Sequence, residues 1–498
     1  MSSVDAIKAE RICIIGGGSA GYMAAAYLLN QTNFDVTMVV PKKNNPIGVG
    51  EATLLGFIDF MGKCGMPYEI EWMHECDAIY KCGILYTDWR EDGKDVWHPF
   101  AQFHENFFKE YANKGYSYDS FIKKILPHHR LLTEELNVTV ARGYHLDAKK
   151  FVDFLDKKLD ESNLTKIRKT ISDVTEENGL IKSVTFDDGT SEEYDLFIDC
   201  TGFNSPFKEY GSTEFIDLSD YFTGNAACAC PIKYSEDEET KREQMMAVTN
   251  PKGSDLGWIW NTPVSTRIGT GLVYNSECNT REEAEAEMIR VYGEENIIGE
   301  FNHINYTPGY HKKSWRGNVC SIGLSSGFIE PLESTGIDIF QAQIMTLTDY
   351  IKKGFASEND RIRYNSTIAN RYEEGTDYVT GHYYPPSIWR SSPFWEKTKN
   401  NKVSETLMIR YEKYQRDKMM FGNSICDTCM FGHQSWATLF EGFFPDGMYS
   451  GDKEITININ DAEDAYAHSN LDILQYIPKE YDNFIELVKD RLGEKNYE

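Results

Sequence analysis

Gly16, Gly18 and Gly21 spell G-x-G-x-x-G. Each glycine has a mechanical job in holding a dinucleotide. The first permits a tight turn, the second lets a pyrophosphate approach the backbone, and the third lets a helix pack on a strand. Ser19 and Ala20 carry the turn into that helix. The helix start then offers unpaired N–H groups and a positive dipole end to phosphates. One element of the pattern is missing. An acid about 20 positions on should hold the ribose hydroxyls. The second strand instead ends Val39–Val40–Pro41–Lys42, so the ribose needs another group or the backbone. Lys42 and Lys43 read as exposed loop lysines. Cysteine offers a second chemistry. Cys228 and Cys230 form C-x-C, and Cys426 and Cys429 form C-x-x-C. Four thiols could bind zinc, but the pairs lie roughly 200 residues apart with no matching histidine spacing. No metal site is expected.

The elements that must position the glycine turn are legible. Residues 11–15 read as a strand, 20–29 as an Ala/Met/Leu-rich helix, and 34–40 as a second strand. Residues 194–200 read as a buried strand ending at Thr201–Gly202, and 319–322 as another ending at Gly323. These pieces are alike in type and far apart in sequence. One α/β sheet assembled discontinuously, with the intervening segments as a second layer, accounts for that. The acidic run from Arg281 to Glu287 alternates Glu with Ala and reads as a solvated helix face. Tyr384–Pro385–Pro386 marks a boundary. Residues 1–385 then form a nucleotide-binding module interleaved with substrate-binding segments, and 386–498 a mainly helical region covering the substrate.

Composition narrows the partners. The 498 residues carry 51 basic and 78 acidic side chains, a net charge of -27. Such a surface repels phosphate backbones and anionic lipid heads, so neither nucleic acid nor a membrane is an expected partner. No apolar run reaches about 18 residues, so no transmembrane helix is expected. The 11 cysteines sit in apolar contexts such as Cys13 and Cys200. That usage fits buried reduced thiols and a cytoplasmic address. A homo-oligomer is compatible with all of this.

Trp258, Trp260 and Pro263 make W-x-W-x-x-P. The string resembles the signature of flavin-dependent halogenases of the tryptophan-halogenase type, which usually has Ile where Thr262 stands. Five further stretches are similar to that family: 47–53 (I-G-V-G-E-A-T), 72–81 (W-M-H-E-C-D-A-I-Y-K), 144–148 (Y-H-L-D-A), 327–337 (G-F-I-E-P-L-E-S-T-G-I), and His382–Tyr383 through Phe394–Trp395. The resemblance covers roughly residues 10–445. It implies a Rossmann-like FAD-binding module of the aromatic-hydroxylase type with an interleaved, largely helical substrate layer. Gly50, Glu51, Ala52, Thr53 and Gly323 join the glycine turn as implied cofactor residues.

The implied reaction has two components. A separate flavin reductase supplies FADH2, since the chain holds a single good dinucleotide fingerprint. Reduced flavin, oxygen and halide give hypohalous acid, which crosses a tunnel to a small aromatic substrate of indole or phenol type. Lys81 matches the tunnel lysine that captures or hydrogen-bonds the hypohalous acid. An unheld oxidant would attack Met and Cys, so an aiming group is needed. Alternation puts Ile79, Lys81, Gly83 and Leu85 on one strand face, which part-buries Lys81. Read without the resemblance, Lys81 is a lysine snorkelling to the surface. Glu333 matches the catalytic glutamate and Ser334 the serine beside it. A carboxylate near the ring stabilises the cationic intermediate and accepts its proton. By local pattern alone, Glu333 is a first-turn acid of a helix starting at Pro331. Thr335 and Gly336 match the halide-binding backbone at a helix start. Trp258, Trp260 and Pro263 wall off the space above the flavin, forcing oxygen transfer to halide. His98, Pro99, Phe100 and Phe103 resemble the aromatic segment that sandwiches the substrate ring. An aromatic hydroxylase or monooxygenase on the same fold, and a flavin-binding protein without catalysis, are the alternatives.

Overall fold

The computed structural model describes residues 6–42, 51–90, 93, 95–102, 139–140, 142–160, 162–210, 214–237, 240–241, 244–245, 247–384, 390–417 and 430–444. The strand Arg11–Ile15 is apolar on both faces and buried from its second residue onward. That continuous pattern suits the middle of a parallel sheet covered on both sides. It lies between Asp35–Val40 and Leu196–Asp199, parallel to both. Thr165–Arg168 extends the sheet in parallel on one side and Val319–Ser321 on the other. The antiparallel strand Trp315–Arg316 closes that second edge. Segments near positions 11, 196 and 319 thus share one sheet, as their common apolar type predicts.

The first helix, Ser19–Gln31, is buried from Gly21 to Leu28. A helix apolar all round must be covered all round. The sheet takes one side, and the helices Ala148–Asp160 and Thr335–Ile351 take the others. A second sheet is antiparallel, in the order Asn250–Ser254, Gly257–Pro263, Ile268–Tyr274, Ala226–Ile232, Asn302–Asn305. It carries the tryptophan motif. The acidic run at 281–287 is the start of a helix, Arg281–Tyr292, with Thr280 and Glu283 forming a capping box. The helices Glu405–Asp417 and His433–Phe443 pack on the long helix Glu358–Gly381. The boundary drawn at 385 lies outside the described residues.

Two local expectations are corrected. Residues 79–86 are not one strand. Ile79–Lys81 pairs with Gly143–Leu146, whereas Gly83–Tyr86 pairs with Val96–Pro99. The chain changes sheets at Cys82, whose N–H bonds the Ala247 carbonyl and whose carbonyl accepts from Phe100. Nor does a helix start at Pro331. Pro331–Glu333 is a single 3-10 turn, Ser334 adopts a left-handed backbone with φ 59°, and the α-helix runs Thr335–Ile351. A left-handed L-residue costs roughly 1–2 kcal/mol. Among the described residues no helix is long and apolar enough to cross a membrane.

Candidate active site

The carboxyl ends of the parallel strands converge on a cavity of about 830 Å³. Open α/β sheets bind ligands at that end, where the connections diverge. Gly16, Gly18, Ser19 and Ala20 line the cavity, with Glu51, Ala52, Thr201, Gly202 and Gly323. Gly16 has φ +124°, and a Cβ there would fall 2.2 Å from the Cys200 carbonyl oxygen. Among the described residues a Cβ at Gly18 would meet nothing within 4 Å, and Gly18 lines the cavity. The helix it caps has no acid in its first turn and no side-chain cap. Its N–H groups are therefore left for a phosphate, and the site fits FAD. Gly21 does not line the cavity. It packs against the Gly16 carbonyl, where a Cβ would sit 2.1 Å away, which is the helix-packing job assigned to it. Thr53 also lies off the cavity, its hydroxyl accepting from the Tyr144 N–H at 2.8 Å. Lys42 pairs with Asp187 at 2.8 Å in the open. Gly50 lies outside the described residues.

We expect Gly16→Ala to weaken FAD binding at least about 100-fold, the equivalent of roughly 3 kcal/mol of strain and clash. Flavin fluorescence titration measures it, and binding within about threefold of the native value contradicts the assigned contact.

Trp258 and Trp260 line the same cavity, their ring centroids 6.4 Å apart. Pro263 does not line it; Thr262 does. Two tertiary fits hold the indoles. A Cβ on Gly271 would strike the Trp260 ring at 2.2 Å. The Trp258 Nε1–H donates to Oε1 of Glu330, a fully buried acid that also accepts from Tyr383 at 2.7 Å. Burial pushes the Glu330 carboxyl up to about 7, against those two hydrogen bonds. Sequence reading missed Glu330. Its only signal was a second acid in the buried stretch E-P-L-E.

The turn at Pro331–Ser334 divides the site. Ser334 lines this cavity, and its hydroxyl accepts from Lys81 Nζ at 2.7 Å. Lys81 is fully buried, with its ammonium 5.0 Å from the Phe100 ring centre. Burial pulls its pKa down to about 7, partly opposed by Glu333. A depressed lysine can serve either as an amine nucleophile or as a donor near neutral pH. Diagonally across the strand pair lies His145, also fully buried, bonded through Nε2 to Thr249 at 2.8 Å.

Glu333 is fully buried and has both oxygens occupied. Oε2 faces His98 Nδ1 at 2.8 Å. Oε1 accepts from the Tyr86 hydroxyl and faces His382 Nε2 at 2.9 Å. Burial alone would raise this carboxyl, but His98 and His382 outweigh it and hold Glu333 well below the usual carboxylate range. Aromatic rings surround the group: Tyr378 stacks on Phe431 at 3.7 Å, and Phe443 meets Tyr86 at 5.1 Å and His382 at 4.8 Å. His98 reaches on to Ser435 Oγ at 3.0 Å. Of the other substrate candidates, Phe100 is buried beneath Lys81, only the backbone of Pro99 is described, and Phe103 lies outside the described residues.

Thr335 opens the helix Thr335–Ile351, its hydroxyl buried with no hydrogen-bond partner among the described residues. Gly336 lines the cavity, and a Cβ there would meet none of the described residues within 4 Å. Asp338 in the same turn is paired with Arg371 at 2.8 Å, so its charge is offset at this helix start. Cys228 and Cys230 are buried free thiols, and Cys426 and Cys429 lie outside the described residues. Among the described residues, no three His, Cys, Asp or Glu side chains converge as metal ligands would.

A parallel sheet with a glycine turn, an antiparallel sheet carrying indoles, and a buried Lys–Ser–Glu wall define a flavin-binding α/β enzyme. The chain belongs to the tryptophan halogenase family, whose model matches residues 11–448, and is a flavin-dependent halogenase. It is 28% identical to tryptophan 7-halogenase RebH of Lentzea aerocolonigenes over 478 residues, 89% of this chain and 88% of that one. It is 29% identical to tryptophan 6-halogenase ThaL of Streptomyces albogriseolus, with 82% of each covered. BrvH, a flavin-dependent halogenase from Brevundimonas sp. BAL3, superposes with a TM-score of 0.76 over 97% of each chain. At 24% identity that likeness establishes the fold.

Proposed function

We propose that this halogenase draws FADH2 from a separate reductase and halogenates an electron-rich aromatic of indole or phenol type. When bound, the reduced flavin supplies the oxidising chemistry that turns halide and oxygen into hypohalous acid. Gly16, Gly18 and the start of the helix Ser19–Gln31 hold its phosphates. Trp258 and Trp260 keep organic substrate out of the flavin chamber. The helix start at Thr335–Gly336 takes the halide, a local positive feature in a chain of net charge -27. The observation that carries the reading is the turn Pro331–Ser334. Ser334 faces the flavin cavity and holds Lys81, while its neighbour Glu333 sits among aromatic rings. Lys81 passes the electrophile across, and Glu333 receives the proton that the ring loses.

Membership in this family favours indoles, and the tryptophan halogenases above act on tryptophan itself. A panel of indoles and phenols, incubated with the protein, FAD, NADH, a flavin reductase and air, tests the proposal. Chloride, bromide and iodide are supplied in turn. A product heavier by one halogen is expected. Products that gain one oxygen and no halogen would establish a hydroxylase instead. No product from any substrate or halide would favour the flavin-binding protein.

A further inference from the structure

The hydrogen bonds around His382 fix its protons. Its Nδ1 lies 2.9 Å from the Tyr378 carbonyl oxygen, which can only accept, so Nδ1 carries a hydrogen. Its Nε2 lies 2.9 Å from Glu333 Oε1. Two arrangements satisfy that contact: a protonated Glu333 donating to Nε2, or Nε2–H donating to a carboxylate. The other groups at Glu333 choose between them. The Tyr86 hydroxyl already donates to Oε1, and His98 Nδ1 faces Oε2. His98 needs no second proton for this, because its Nε2 can accept from the Ser435 hydroxyl. With Tyr86 and His98 as donors, the carboxyl is held well below its usual range and stands ionised, which leaves both nitrogens of His382 protonated.

We propose that His382 is a positioning residue for proton removal, standing as the imidazolium counter-ion of Glu333. The proposal rests on Glu333 being the proton acceptor. The pair is dry: Glu333 is 0% and His382 1% exposed. An unpaired carboxylate there would be costly, and an ion pair of good geometry offsets that cost. His382 is itself fixed, since Trp89 Nε1 donates to its carbonyl at 3.0 Å and the Tyr86 ring lies 4.9 Å away.

A consequence reaches Lys81. The groups facing Glu333 are Lys81, Tyr86, His98 and His382, with Tyr378 behind His98 at 3.5 Å. With His382 neutralising Glu333, Lys81 is not needed as the counter-ion. Burial is then free to hold it near neutrality, where the amine and ammonium coexist. Losing the imidazolium would do two things at once. It would raise the Glu333 carboxyl toward the value burial favours, and it would draw a proton onto Lys81. Both move the acid limb of activity in the same direction, toward higher pH.

The test is the pH profile of kcat for His382→Gln in the reductase-coupled assay, with Tyr86→Phe beside it. Gln can donate to Glu333 but cannot carry charge. The acid limb of His382→Gln is expected to rise by about one pH unit or more, equivalent to about a tenfold loss at a pH below the limb. Tyr86→Phe keeps the imidazolium and is expected to shift the limb by less than half as much. A His382→Gln profile lowered uniformly, with its limb unmoved, would overturn the proposal. So would equal shifts in the two variants. If His382→Gln does not fold, a Tyr86→Phe shift of a full unit serves as the overturning result. Glu333→Gln separates the two layers: full activity in that variant sinks the acceptor role, whereas loss of activity with an unmoved His382→Gln limb sinks only this inference.

Discussion

Lys81→Ala abolishes halogenation, with a loss of at least about 10³-fold, while FAD binding and flavin-dependent oxygen consumption persist. The reasons lie in the geometry. Lys81 donates to Ser334 at the boundary of the cavity, and the Phe100 ring centre lies 5.0 Å from its Nζ. Alanine leaves an apolar gap with no group able to capture or aim hypohalous acid. The oxidant should then leak, so a soluble scavenger dye would bleach in the variant and not in the native protein. Product formation within about tenfold of native would sink the role. A stability measurement gives an independent check. Burial lowers the Lys81 pKa to about 7 from its ordinary 10.5. The unfolded chain therefore binds one more proton than the folded chain between those values. The cost to stability is full below about pH 7 and shrinks as pH rises toward 10.5. Lys81→Met, which fills the same space without charge, should be more stable than native at neutral pH, on the order of 1 kcal/mol, and should lose the stability gain between pH 7 and 10. The residue is thus kept at a thermodynamic cost, as functional groups often are.

Glu333→Gln is the second large effect. An arenium intermediate must shed a proton, and an amide is no base. kcat should fall about 10²–10⁴-fold with KM little changed, the signature of a group acting after substrate is bound. Hypohalous acid would still form, since Ser334 and Lys81 are untouched, and the scavenger dye would again report the leak. A second consequence is structural. The amide nitrogen must face a donor, whether His98, Tyr86 or His382. That mismatch leaves one buried donor unsatisfied, at about 1–3 kcal/mol. The native carboxyl, held below its ordinary range, contributes stability present above the unfolded carboxylate pKa and lost as pH falls through the folded one. Glu333→Gln should therefore unfold with a flatter acid dependence than native. Equal kcat in the variant would remove Glu333 from the chemistry.

Much of the fold is written in consecutive residues. Gly16 can be read from the sequence because the turn it makes is a local demand, and only glycine tolerates φ +124° beside the Cys200 carbonyl. The strands at 11–15 and 196–199 can be read because burial on both faces requires an unbroken apolar run. The trait shared by 11–15, 196–199 and 319–321 also foretells their common sheet. Alternation misled at 79–86. Residues 79–81 and 83–86 belong to different sheets, and nothing in six or eight consecutive side chains marks a change of partner at Cys82. Pro331 misled in a similar way. It begins a turn, but the left-handed Ser334 separates that turn from the helix that starts at Thr335.

The sequence by itself determined the dinucleotide turn, the central strands and the family, because those depend on short-range sterics and on strings of neighbouring residues. Only the tertiary structure decided the state of the reacting groups. The partners of Glu333 come from 247, 235 and 49 positions away, at Tyr86, His98 and His382. Lys81 reaches Ser334 across 253 positions. A side chain's charge depends on how much water is removed around it and on which donors close over it. Both are properties of the assembled core, so the same lysine reads as a surface residue in the chain and is a fully buried group with a lowered pKa in the fold.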